Sequence, residues 1–277
     1  MHIQGVIFDL GHTLMGLDGT WPEMFERGAA DLAAYVDGMD GTVGRASMPA
    51  LAWPGASRVA GAEFAQALLR CREEGYARAK ETLRETTAEG SMRRTFAHFG
   101  VPDPSPELVQ GACDAFFAHE EASWSAFPEA LPVLRELSAR GLRLGLFSNA
   151  TSDRFIQRLV DRFGFRPYLQ PALSSAGVGV RKPDPAALAA FPEAWGVAAG
   201  AIVMVGDQIE ADVLCAQRAG MRSVWIPSRE DARQEGRSPE LGPVAAGIRP
   251  DRTVSGLVEL PRCLEEMARS SGPGRGC

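Results

Sequence analysis

Val6-Ile7-Phe8-Asp9 is a short apolar run that stops at an acid, and three further runs have the same form. Leu144-Gly145-Leu146-Phe147 stops at Ser148, Val178-Gly179-Val180 lies just before Lys182, and Ile202-Val203-Met204-Val205-Gly206 stops at Asp207. Apolar runs of this length, bounded by polar residues or glycine, read as buried strands. The stretches between them carry apolar residues at helical spacing, so the pattern predicts an α/β fold with a doubly wound, parallel, Rossmann-like sheet. In open sheets of this kind the carboxyl ends of the strands share one edge, where ligands are held. An acid, a hydroxyl, a lysine and a second acid are thereby expected to converge.

Outward from these runs the chain divides unevenly. More than a hundred residues separate the first strand (3–8) from the next convincing one, and they read as helix and loop. Helices are expected over 23–36, 62–89, 91–99 and 106–117, with the Gly-, Ala- and Pro-rich stretch 37–57 as a loop. Asp18-Gly19-Thr20 reads as a turn at the entry to this insertion. From residue 128 the rhythm is α/β. Helix 129–140 is stopped by Gly141 before strand 142–147. Helix 153–162, strand 169–173, helix 185–195, strand 201–205, helix 209–219 and strand 222–226 follow. A polar excursion (228–249), a last helix (256–269) and a Ser-Ser-Gly-Pro-Gly tail complete the chain. The domains expected are thus an α/β core of residues 1–15 and 128–277 and a helical insertion of residues 16–127.

Composition narrows the function. The 277 residues are 45% hydrophobic and carry a net charge of −6, typical of a globular protein and without the basic stripe that a nucleic-acid backbone demands. The five cysteines are scattered, with no spacing of a zinc or redox motif. No apolar stretch is long enough to span a bilayer, and the amino terminus enters a strand at once, so a cytoplasmic protein without a membrane partner is expected. The sequence is compatible with a monomer or a homodimer.

Asp9, Asp207 and Asp212 would bring three carboxylates to one edge, where they repel one another unless a cation intervenes. Mg2+, a hard ion that takes carboxylates, waters and a substrate phosphate, suits such a set. Lys182 adds a fixed positive charge. Ser148 and the Asn149 amide, at a strand end before a helix, offer hydrogen bonds to a phosphoryl oxygen. These parts suit phosphoryl transfer, in which a protein mainly positions groups and stabilises charge.

In order and spacing, Asp9-Leu10-Gly11-His12-Thr13, Ser148-Asn149, Lys182-Pro183-Asp184 and Gly206-Asp207-Gln208-Ile209-Glu210-Ala211-Asp212 resemble the four motifs of the haloacid dehalogenase superfamily. Singly each piece is common; four in sequence at strand ends are specific. The resemblance implies that Asp9 is the nucleophile, that Ser148 and Lys182 bind the phosphoryl group, and that Asp207 holds Mg2+ with help from Asp212. It also implies that the Gly11 backbone carbonyl contacts the metal and that the helical insertion is a cap closing over the site. A small phosphorylated metabolite would be the substrate.

Gly11 departs from the pattern, because phosphatases of this family usually carry there a second Asp that serves as general acid and base. Glycine can do neither, and a positioned acid or base contributes roughly 10²–10⁴-fold. His12, beside it, is the nearest candidate for a replacement acid, although adjacency is not alignment and a loop histidine is the plainer reading. Two other functions compete: a dehalogenase-type hydrolase, which also uses an aspartate nucleophile, and a catalytically impaired binding protein. Arg70, Arg72, Arg78, Arg93 and Arg94 on the insertion read as solvated helix faces. Gly177-Val178-Gly179-Val180 lacks the third glycine and helix start of a dinucleotide fingerprint.

Overall fold

The structure, a computed structural model, describes residues 2–39, 60–227 and 247–269. The chain divides into two compact units, residues 1–17 with 125–277 and residues 18–124. The first is α/β. Its six strands β1 (Gly5–Phe8), β4 (Arg143–Ser148), β5 (Leu169–Ser174), β6 (Ile202–Gly206), β7 (Arg222–Trp225) and β8 (Arg252–Thr253) lie in the order β5-β4-β1-β6-β7-β8. All five pairings are parallel. Two short strands, β2 (Met15–Leu17) and β3 (Trp124–Ala126), pair separately where the chain leaves and re-enters this unit.

β1 is central because it is apolar on both faces: Val6, Ile7 and Phe8 are fully buried, each contributing about 1.5–3 kcal/mol on transfer from water. One side of the sheet packs on the short helix α8 (Ala190–Trp195) through a close approach that only glycine permits. A Cβ at Gly145 would lie 2.5 Å from the Phe191 ring, and one at Gly5 would lie 2.6 Å from Trp195. Helices α5 (Ala130–Ala139), α6 (Asp153–Arg162), α9 (Leu214–Arg218) and α10 (Leu260–Arg269) fall where the periodicity places them. Residues 209–213 form a wider π turn before α9, and 185–188 a 3-10 turn before α8.

Val178-Gly179-Val180 is not a strand. Residues Ser175–Val178 form one helical turn, α7, closed by Gly179 in the left-handed region at φ 83°, and Val178 is exposed. Its β-branched residues suggested an extended run, but the Ser174 hydroxyl accepts from the Gly177 N–H and caps a turn instead. Lys182 therefore stands on a loop.

The second unit is helical: α1 (Trp21–Met39), α2 (Gly61–Thr82), α3 (Ala88–His98) and α4 (Pro106–Ser123). The expected helix 62–89 ends earlier, because Leu83 turns left-handed (φ 57°) and Thr87 caps the next helix through the Gly90 N–H. α4 runs six residues past its expected end. The expected loop 37–57, beyond residue 39, the greater part of the excursion 228–249 and the carboxyl-terminal tail lie outside the described residues. Among those residues no helix is long and apolar enough to cross a membrane, and Cys71, Cys113, Cys215 and Cys263 are free thiols.

Candidate active site

Sheet register brings the acids together. Phe8 pairs with Leu146 on one side and Val205 on the other, so the residues that follow β1, β4 and β6 emerge side by side. The strand order reverses at β1, the topological position at which open sheets bind ligands. The Asp9 N–H donates to Val205 O (2.8 Å), which carries the pairing to the first residue of the loop.

One carboxylate oxygen each from Asp9, Asp207 and Asp212 lie within 4.8 Å of one another. Lys182, almost wholly buried, places its ammonium among them. Nζ donates to Asp9 Oδ1 and Asp212 Oδ1, both at 2.6 Å, and to Phe147 O at 3.0 Å. An ammonium has three protons, so every donor is engaged. Three acids against one lysine leave negative charge in excess when all are ionised.

Asp212 reaches the cluster because residue 206 is glycine. A Cβ there would stand 2.1 Å from Asp212 Oδ2. That oxygen accepts from the Gln208 N–H (2.9 Å), and the wide turn at 209–213 presents the side chain inward. Asp207 is fixed through its backbone: the Trp225 indole donates to its carbonyl (2.6 Å). Its Oδ1 is buried and takes no hydrogen-bond partner among the described residues. A buried carboxylate oxygen without a donor, beside two more carboxylates, fits a divalent cation with oxygen ligands.

The electrostatics follow from burial. Desolvation pushes the Asp9 carboxyl up to about 7 against the pull of Lys182, with Asp212 adding to the rise. Asp207 is pushed well above the usual carboxylate range by burial and then by Asp9 and Asp212. Burial alone would lower the Lys182 ammonium, but Asp212 and Asp9 outweigh it and hold the pKa above the ordinary lysine value.

Ser148 ends β4 and is buried at the edge where the acids converge. Asn149 differs from expectation, since its carboxamide is engaged with the Lys182 backbone. Gly11 lies in the turn after β1 and bridges to Met15. His12 beside it has φ 58°, a left-handed conformation uncommon for a residue with a side chain. Trp225, Gln208 and the Phe147 carbonyl were not expected from sequence. They act through an indole or backbone groups, and no residue-type signal marks them.

Solved structures and curated relatives point the same way. The chain is 27% identical to a 2-haloacid dehalogenase from Pseudomonas syringae pv. tomato DC3000, with a TM-score of 0.63 over 96% of this chain and 100% of that one. It is 35% identical over 137 residues to a phosphoserine phosphatase of Thermus thermophilus, a match spanning 50% of this chain and 54% of that protein. A glyceraldehyde 3-phosphate phosphatase of Methanopyrus kandleri is 28% identical over 60% of this chain and 68% of its own length. The family model described as haloacid dehalogenase-like hydrolase matches residues 3–220, and the chain belongs to that family of hydrolases.

Proposed function

We propose that this protein is a Mg2+-dependent phosphohydrolase acting on a small phosphorylated metabolite through a phosphoryl-aspartate at Asp9. The observation that carries the reading is the acid cluster with the donorless Asp207 Oδ1. Asp9, Asp207 and Asp212, with the Gly11 carbonyl, would hold the cation, which when bound neutralises the carboxylates and the phosphate oxygens. The phosphatases among its relatives favour the same chemistry.

An Asp9 carboxylate oxygen attacks phosphorus, the P–O bond to the leaving group breaks, and the electron pair leaves with that oxygen. Water then cleaves the acyl phosphate and returns Asp9 with inorganic phosphate. Ser148 donates to a phosphoryl oxygen. Lys182 orients Asp9 and offsets charge; contact with phosphate requires it to give up one of its three present bonds. Gly11 supplies no proton to the leaving oxygen, so phosphates with good leaving groups, acyl or aryl, turn over faster than alkyl phosphates. The helical unit serves as the cap.

A second reading, hydrolysis of a carbon–halogen bond, is favoured by Gly11 and by the likeness to the Pseudomonas dehalogenase. One experiment separates them: release of phosphate from an aryl phosphate and of halide from a 2-haloacid, each with and without chelator. Chelator-sensitive phosphate release that disappears in Asp9→Asn is the expected result. Chelator-resistant halide release overturns the phosphohydrolase reading.

A further inference from the structure

The Asn149 carboxamide is spent on one residue. Its Oδ1 accepts from the Lys182 N–H at 2.9 Å, and its Nδ2 donates to the Lys182 carbonyl, also at 2.9 Å. Donor and acceptor together grip both polar groups of a single backbone residue 33 positions away in sequence. The next residue extends the stitch. Ala150 N–H donates to Ser175 Oγ (2.9 Å), and Ala150 O accepts from that hydroxyl (3.1 Å) and from the Ala176 N–H (3.2 Å). The chain leaving β4 thus ties down both ends of the segment 175–182.

Lys182 needs such a tie. It stands on a loop after a single helical turn, with no ladder or helix to fix its backbone. Its long, rotamer-rich side chain must still place Nζ within 2.6 Å of two carboxylates. An ammonium is a point charge that gains little from geometry of its own, so its position depends on where its Cα is held. A two-point carboxamide grip does for this loop what a strand partner does elsewhere in the sheet.

We propose that Asn149 is a positioning residue that acts through Lys182, holding the lysine backbone so that the ammonium remains between Asp9 and Asp212, and that it does not itself bind substrate. The kinetic test rests on the phosphohydrolase reading; a second measurement does not. Measure kcat/KM on an aryl phosphate for the wild type, Asn149→Ala, Lys182→Ala and the double variant. Asn149→Ala lowers kcat/KM about 10–100-fold when Lys182 is present and less than about twofold when it is absent, because residues acting as a unit are not additive. Equal losses in both backgrounds overturn the proposal, since they mean an independent substrate contact. Asn149→Asp keeps an acceptor for the Lys182 N–H and loses the Nδ2 donor, so it falls between wild type and alanine.

Hydrogen–deuterium exchange at the Lys182 amide needs no turnover. Asn149→Ala accelerates it by about tenfold or more while amides of β1 and β6 keep their protection. Unchanged exchange at Lys182, or equal acceleration throughout the sheet, overturns the clamp. If the wild type fails to hydrolyse aryl phosphates, the phosphohydrolase reading falls and the exchange result alone decides the role of Asn149.

Discussion

Lys182 in the α/β unit and Arg72 in the helical unit are both cations on buried faces, and their surroundings differ. Lys182 has all three protons placed, on two carboxylates and a carbonyl. Arg72 shares the buried face of α2 with Leu68, Gly75 and Ala79, yet its Nε is buried with no hydrogen-bond partner among the described residues. Its guanidinium rests instead over the rings of Phe116 and Phe117, 4.8 and 5.2 Å from their centroids. Glu120, one turn on along α4, is buried as well and among the described residues accepts a long 3.5 Å bond from the Trp124 indole. Burial pushes its carboxyl up to about 7, with Arg72 opposing, and burial lowers the Arg72 pKa, with Glu120 opposing. The sequence suggested a solvated arginine here. The contrast teaches that burying charge is not itself a mark of a catalytic site. What distinguishes the candidate site is a cation whose donors are all placed while one oxygen of a neighbouring acid, Asp207 Oδ1, has no donor among the described residues.

Removing the organised cation should cost most. Lys182→Met strands Asp9 and Asp212 without their partner and lowers unfolding stability by about 3–5 kcal/mol at pH 8. Protonation of the stranded Asp9, whose carboxyl burial already pushes up to about 7, reduces that loss at pH 5, as denaturant titrations at the two pH values would record. A loss below 1 kcal/mol at pH 8 would mean that the ammonium is not holding the cluster together.

Gly206→Ala attacks the same cluster through shape. The new Cβ would sit 2.1 Å from Asp212 Oδ2, so the carboxylate must move. A displacement of about 1 Å lowers kcat/KM roughly 10²-fold, and the strain costs about 1–3 kcal/mol. Steady-state kinetics and thermal unfolding on one preparation would measure both, and wild-type kinetics would remove Asp212 from the site.

In the helical unit the effects are smaller and depend on pH. Burial pushes the folded Glu120 carboxyl up to about 7 from the ordinary glutamate value of 4.5. Its contribution to stability is therefore complete below about pH 4.5 and is lost as pH rises through about 7. Glu120→Gln removes that loss: the variant matches wild type at pH 4 and exceeds it by up to about 3 kcal/mol at pH 8. Parallel stability–pH curves for the two proteins would show that Glu120 is already paired. Arg72→Met gives up the ring contacts but relieves the desolvation cost of the buried guanidinium, and shifts stability by no more than about 1 kcal/mol at pH 5. A loss of several kcal/mol in denaturant would erase the difference between the two cations.

The parallel sheet was legible in residues 6–8, 144–147 and 202–206, because a strand buried on both faces must be apolar along its length. The run at 178–180 misled for a related reason. Three residues cannot distinguish a strand from a turn, and the Ser174 cap that decides it depends on a hydroxyl placed by β5. Asp9, Lys182, Asp207 and Asp212 were named from residue type and spacing, and the fold gathers them: Lys182 pairs with Asp9 and Asp212, and one carboxylate oxygen from each of the three acids lies within 4.8 Å of the others. The Asn149 amide was read as a phosphate ligand because nothing local says which way a carboxamide turns.

By itself, then, the sequence determined the strand ends, the residue types at them and the helical insertion, since periodicity and breakers act over a few neighbouring residues. Only the tertiary structure decided that Lys182 meets an acid 173 positions away with every donor spent, that Asn149 grips its backbone, and that a glycine admits Asp212. Those depend on parallel register and on side chains meeting across distant segments, and no local pattern encodes a hydrogen bond between partners that only the folded sheet brings together.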